Sequence, residues 1–107
     1  MSLKPPGNAF QRVSETKAGS SLEAEVAAEQ AAALGRAGQK VADALRSYRR
    51  AIGTDDHATA RHAAIDATFA FLVQRETIGL RDHRSVISDL GIPAEVLRRL
   101  GAAPKRF

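Results

Sequence analysis

Six small residues recur in this chain at alternate spacings of four and three. They are Ala24, Ala28, Ala31, Gly35, Gly38 and Ala42. Because an α-helix turns about 100° per residue, this spacing keeps all six within one narrow arc of a helix. We call them the small-residue seam. The seam predicts a long helix whose backbone a neighbouring helix can approach closely.

Larger apolar residues follow the same stretch beside the seam, and charged residues occupy the opposite arc. The larger apolar positions are Ala27, Leu34, Val41, Leu45, Tyr48 and Ile52. Ser20 with Glu23 three residues later has the spacing of a capping box, and Gly53 is typical of a helix end. The pattern predicts an amphipathic helix over residues 20–52.

Three further helices are predicted. Residues 54–78 are apolar on nearly every side in their middle, which is typical of a central helix, and the short connection at Gly53 favours antiparallel packing on the first helix. Asp82 begins a short helix that ends at Gly91, and Pro93 begins a last one through Leu100. We therefore predict an all-α fold: a long antiparallel helical hairpin followed by two short C-terminal helices.

The first predicted helix is too long for one compact domain of this size. At 1.5 Å per residue it extends about 48 Å, whereas a domain of this size has a radius of gyration of about 13 Å. The helix either breaks between Gly35 and Gly38 or continues against a second subunit. The helix formers around these glycines favour continuity. We expect a homodimer, a dimeric helical bundle paired antiparallel through the seam, because acidic residues lie near one end of the helix and arginines near the other.

Composition sets the remaining boundaries. Residues 1–19 lack periodicity, which predicts a flexible leader. We expect residues 20–101 to form a single helical domain and residues 102–107 to form a short basic tail. The chain has no cysteine, which excludes disulfides, thiolate metal sites and cysteine nucleophiles. It has no apolar run of membrane-spanning length and no signal peptide pattern. We expect a cytoplasmic protein of bacterial type with no membrane partner.

The net charge of +4 invites a nucleic-acid interpretation, although only the last quarter of the chain is clearly basic. Residues 82–100 resemble a helix-turn-helix signature, with Gly91 at the turn and Leu97 and Leu100 at apolar positions of the second helix. Ile87 departs from the small residue that the first helix usually carries. The nucleic-acid contacts that this resemblance implies are Arg98, Arg99, Lys105 and Arg106. The alternative is two short helices that cap the hairpin.

Two other groups of polar residues are candidate sites. His62 and Asp66 share a helix face at the spacing of two metal ligands, with Glu76 further along the same helix, but the sequence favours a surface His–Asp pair beside an apolar face. The second group surrounds the end of the second helix. Its arginines, Arg75, Arg81 and Arg84, either form a pocket for an acidic small molecule or make salt bridges that tie one helix to the next.

No catalytic motif, nucleotide-binding loop or paired carboxylate is present in the sequence. We therefore expect no enzymatic activity and no cofactor. The sequence predicts a small helical interaction or regulatory module that acts as a homodimer and that can also bind another protein. The alternative is a DNA-binding regulator that uses residues 82–100.

Overall fold

The structure is a computed structural model that describes the backbone of residues 9–100 and the side chains of residues 21–100. These residues form four helices and no strand. The helices are α1 (Ala9–Ala51), α2 (His57–Thr77), α3 (Arg84–Leu90) and α4 (Ala94–Leu100). The predicted all-α fold, a long helix followed by shorter ones, is confirmed.

Helix α1 begins at Ala9 and not near Ser20 as predicted. Ser20 and Glu23 lie inside the helix, so they do not form a capping box at its start. Alanine, glutamine, arginine, glutamate and lysine dominate residues 9–18, and they outweigh the cost of about 1 kcal/mol for Gly19. The predicted leader over residues 1–19 is therefore helical from Ala9 onward, while residues 1–8 and the predicted tail over residues 102–107 lie outside the described residues.

Helix α1 continues without a break through Gly35 and Gly38, as predicted. Contacts between residues divide the chain into two compact units, and the boundary between them lies within α1. The first unit ends at Ala33 and the second begins at Leu34. The boundaries predicted at residues 20 and 101 stay predictions. None of the described helices is both long enough and apolar enough to cross a membrane.

The core of the second unit lies where α1, α2 and α4 meet. Val41, Leu45 and Tyr48 are spaced four and three residues apart and therefore lie on one arc of α1. Val96 and Leu100 are four residues apart and share one face of α4. The buried residues are Val41, Leu45 and Tyr48 on α1, Ala64, Phe71 and Leu72 on α2, and Ile92, Val96 and Leu100 around α4. Burying each large aliphatic or aromatic side chain contributes about 1.5 to 3 kcal/mol. The central position predicted for α2 agrees with these contacts.

Two close approaches show that α1 and α2 run antiparallel. Gly38 on α1 faces the ring of Phe71 near the end of α2. Further along α1, the ring of Tyr48 lies against His57 at the start of α2, with 5.3 Å between centroids. The later residue of α1 contacts the earlier residue of α2, as expected for the predicted antiparallel hairpin.

The turns follow from local hydrogen bonding. Thr54 donates from both its backbone N–H and its hydroxyl to the carbonyl of Ala51 at the end of α1, so α2 begins at His57 and not at residue 54 or 55. Gly91 ends α3 at a φ of 65°, a left-handed conformation that glycine adopts without steric cost. The N–H groups of Gly91 and Ile92 bond to Ser88 and Ile87, which forms a Schellman motif.

Candidate functional site

The first unit carries an extended exposed surface on α1. Every side chain of residues 21–32 is exposed. Among them are two large aliphatic residues, Leu22 at 62% and Val26 at 53% relative exposure. A shallow groove along the helix is lined by Leu22, Glu23, Val26, Ala27 and Gln30. Because most of the stability of a helix in a protein comes from tertiary packing, a partner packed on this stretch would add stability.

The small-residue seam divides into an open part and a partly covered part. Ala24, Ala28 and Ala31 are exposed, and a Cβ atom added to Gly35 would meet nothing within 4 Å. In the second unit a Cβ atom on Gly38 would lie 3.4 Å from the Phe71 ring of the same chain.

Ala42, the last residue of the seam, is half-buried. Since the Phe71 ring of α2 lies next to Gly38, the close neighbour predicted for Gly38 is the chain's own α2. The role of the seam between subunits stays a prediction.

A polar network in the second unit joins α1, α2 and α4 through one carboxylate. The Tyr48 hydroxyl donates a hydrogen bond to Glu95. Nη1 of Arg61 lies 3.4 Å from Oε2 of Glu95, and Nη2 of Arg99 lies 3.8 Å from the same oxygen. The hydrogen bond from Tyr48 lowers the pKa of Glu95, and both arginines lower it further. The same hydrogen bond raises the pKa of Tyr48, so the pair stays a phenol and a carboxylate.

Sequence reasoning missed this network because its members lie far apart in the chain. Tyr48 and Glu95 are 47 residues apart, and Arg61 and Glu95 are 34 apart. No spacing rule for a helix connects residues at such distances. The His57 ring packs on Tyr48, and its buried Nε2 has no hydrogen-bond partner among the described residues.

A second polar cluster ties the end of α2 to α3. Nε of Arg75 donates to Nδ1 of His83 at 3.1 Å, and Nη2 of Arg75 donates to the Asp82 carbonyl at 2.8 Å. Nε2 of His83 lies 2.9 Å from the Glu76 carboxylate. Hydrogen bonds from the side chain and backbone of Arg84 lower the pKa of Asp82. Hydrogen bonds from Arg75 and to Glu76 therefore link the end of α2 to His83 at the start of α3, and the ion pair between Arg84 and Asp82 lies within the connection and α3.

Two of the three arginines predicted to line an anion pocket already have partners. Arg75 is held by His83 and the Asp82 carbonyl, whereas Nη2 of Arg84 forms an ion pair with the Asp82 carboxylate at 2.7 Å. Arg81 is exposed. The pocket for an acidic small molecule stays a prediction.

The candidate metal ligands also separate. Nε2 of His62 and Oδ2 of Asp66 are 3.6 Å apart on an exposed face of α2. Glu76 instead accepts from His83 at the other end of the helix. Among residues 21–100, no group of three or more histidine, aspartate or glutamate side chains is placed to hold a metal ion. His62 and Asp66 therefore form the surface pair that the alternative interpretation describes.

Helices α3 and α4, with Gly91–Pro93 between them, have the element order of the helix-turn-helix resemblance. Arg98 and Arg99 are exposed, but Arg99 lies near Glu95, and Glu95 itself is held by Tyr48. Val96 and Leu100 pack into the core, so this face of α4 serves the chain's own packing. Lys105 and Arg106 lie outside the described residues.

A model of a family of unknown function (DUF6665) matches residues 1–106. No curated protein and no solved structure matches the chain. The match includes both the exposed part of α1 and the core formed by α1, α2 and α4.

Proposed function

The chain belongs to this family of unknown function, and we propose that it is a small helical interaction module that acts as a homodimer. The partner surface is the small-residue seam of α1, which is exposed from Ala24 to Gly35 and partly covered by the chain's own packing at Gly38 and Ala42. The observation that carries the proposal is the exposure of the seam residues Ala24, Ala28 and Ala31 within the exposed stretch 21–32. No catalytic role is assigned to any residue, and a cytoplasmic location is part of the proposal.

A second copy of the chain fits this surface because the seam is symmetric. Its spacings of four, three, four, three and four residues read the same in both directions. In an antiparallel pair, Ala24 would oppose Ala42 and Ala31 would oppose Gly35. Such an arrangement satisfies the two-fold symmetry of an isologous dimer, and small side chains allow the helix axes to approach closely.

Charge supports the antiparallel orientation. Glu23 and Glu25 lie near one end of the seam, and Arg46 and Arg50 lie near the other, all with exposed side chains. Antiparallel pairing brings the acidic end of one helix beside the basic end of its partner, whereas parallel pairing would place like charges together. Exposed pairs of this kind contribute little affinity, about 0 to 1 kcal/mol each, but they select orientation.

The proposal is tested with Gly35→Leu. Because Gly35 is exposed and a Cβ atom added there meets nothing within 4 Å, the monomer should fold normally, with an unchanged helical circular dichroism spectrum. A bulky residue in the seam should nevertheless prevent close helix approach. We expect wild type to sediment at twice 11.4 kDa and Gly35→Leu to sediment at 11.4 kDa.

The matched control is Lys40→Leu, which adds the same side chain at an exposed position of α1 at least about one third of a turn away from every residue of the seam. It should remain a dimer. A wild-type chain that sediments as an 11.4 kDa monomer at every concentration contradicts the proposal. Equal dimerisation of wild type and Gly35→Leu would show that the seam is not the interface.

A DNA-binding regulator is the second candidate function, favoured by the exposure of Arg98 and Arg99 on α4. A gel shift on random duplex DNA at increasing salt tests it, because phosphate contacts must weaken steeply with salt. Unchanged binding by Arg98→Ala combined with Arg99→Ala would exclude α4 as the contact.

A further inference from the structure

The connection between α2 and α3 is held by a histidine that uses both ring nitrogens. His83, at the start of α3, has 13% of its side chain exposed, and its partner Glu76 has 24%. Nδ1 faces Nε of Arg75 at 3.1 Å, and Nε2 faces the Glu76 carboxylate at 2.9 Å. Arg75 also reaches past the ring to the Asp82 carbonyl at 2.8 Å.

Only one tautomer of His83 satisfies both contacts. The guanidinium group of Arg75 has donors only, so Nδ1 must accept and carry no proton. The Glu76 carboxylate is an acceptor when ionised, so Nε2 must carry the proton and donate it. The arrangement therefore requires a neutral imidazole with its proton on Nε2.

The charged groups around the ring act in opposite directions. Glu76, on α2, favours a positive ring, and so does the Asp82 carboxylate in the connection, which Arg84 of α3 already neutralises in part. Arg75, also on α2, opposes a positive ring, because its Nε–H would face a second N–H at Nδ1. A positive His83 can keep its bond to Glu76, but it cannot keep the bond from Arg75.

We propose that His83 and Arg75 form a pH-sensitive latch between α2 and α3. When Nδ1 takes up a proton, the ring stays with Glu76 as an ion pair and Arg75 is displaced. The displaced side chain also leaves the Asp82 carbonyl, so residues 82 and 83 lose both hydrogen bonds from the Arg75 side chain, while the backbone bond from Leu80 N–H to the Arg75 carbonyl remains. Acidification thereby loosens this connection without removing any contact of the core formed by α1, α2 and α4.

Long-range proton–nitrogen NMR of the full ¹⁵N-labelled chain tests the first step directly. At the alkaline end of the pH range we expect the proton of His83 on Nε2 and an unprotonated Nδ1. At the acid end, both nitrogens should carry protons. A proton on Nδ1 at the alkaline end overturns the proposal, and this measurement needs no variant.

The second step is tested by hydrogen exchange at Nε of Arg75, in wild type and in His83→Gln. The glutamine amide can accept from Arg75 and donate to Glu76, and it does not titrate. Solvent pH alone changes both chains equally, so the ratio of their rates isolates the latch. We expect the ratio of wild type to His83→Gln to rise about tenfold on acidification, the effect of one lost hydrogen bond.

His62→Gln is the matched control, because it removes an exposed histidine beside Asp66. It should retain the full wild-type response. Backbone amide resonances of α1 and α2 should stay dispersed at both ends of the range, which separates local opening from unfolding. A rate ratio that does not change with pH, or a His62→Gln chain that loses the response, contradicts the latch.

Discussion

The hydroxyl of Tyr48 on α1 donates a hydrogen bond to the carboxylate of Glu95 on α4. Tyr48 is 6% exposed, and Glu95 is also approached by Arg61 from α2. One side chain of α4 is therefore contacted from both helices of the hairpin. The position of α4 depends on this polar network as well as on the apolar core.

Tyr48→Phe is expected to lower the free energy of unfolding by about 1.5 kcal/mol, since a hydrogen bond to a charged partner is lost while the ring is kept. Urea denaturation followed by circular dichroism measures the change. Gln39→Ala, which removes an exposed hydrogen bond to Asp43, is the control and should change stability little. A Tyr48→Phe chain as stable as wild type would show that the hydroxyl contributes nothing to α4 docking.

The network also predicts how stability depends on pH. The pKa of Glu95 is lowered in the folded chain below its ordinary 4.5, chiefly by the hydrogen bond from Tyr48. The stabilisation is therefore complete above pH 4.5 and is lost as the pH falls through the lower, folded value. The pKa of Tyr48 is raised above its ordinary 10.0, so its contribution is complete below pH 10.0 and is lost at more alkaline values.

The comparison of wild type with Glu95→Gln isolates this effect from other carboxyls with lowered pKa, such as Asp43. Denaturant titrations should show the largest difference in unfolding free energy near neutral pH and a shrinking difference below pH 4.5. A difference that is constant across the acid range would contradict the assigned role of Glu95.

The two glycines of the seam should respond differently to substitution in a single chain. Gly35→Ala should raise the free energy of unfolding by about 0.5 to 1 kcal/mol, because alanine is the better helix former and the added methyl meets nothing. Gly38→Leu should lower it by about 1 to 3 kcal/mol, because the larger side chain meets Phe71.

Thermal denaturation at a concentration where both variants have the same oligomeric state measures these two changes. Equal effects of the two substitutions would contradict the position of Gly38 against Phe71.

Cysteine cross-linking can determine the orientation of the proposed dimer, since the chain has no native cysteine. In an antiparallel pair, Ala24→Cys should form disulfides with Ala42→Cys in a mixture of the two chains but not with itself. The reason is that a disulfide needs Cα atoms within about 7 Å. Non-reducing gel electrophoresis after mild oxidation reports the products. Efficient self-linking of Ala24→Cys would indicate parallel pairing instead.

Helix periodicity and turn residues determined most of the fold. Spacings of four and three residues place Val41, Leu45 and Tyr48 on one arc whatever surrounds them, so the buried face of α1 could be predicted. Gly53 and Gly91 end helices for a local reason, their positive φ. The start of α1 was mispredicted because the end of a helix depends on small differences in propensity, which a capping motif inside the helix can imitate.

Tertiary structure alone decided which side chains meet. Local rules act over about four residues, so the hydrogen bond between Tyr48 and Glu95 has no trace in the order of residues. Gly38 is a second example. Its small size is compatible with close approach by a second subunit or by the chain's own α2, and only the packing of Phe71 against Gly38 distinguishes these two neighbours. The sequence determined which helix faces are apolar and which carry only small residues. The packing of the hairpin determined which of those faces remained exposed.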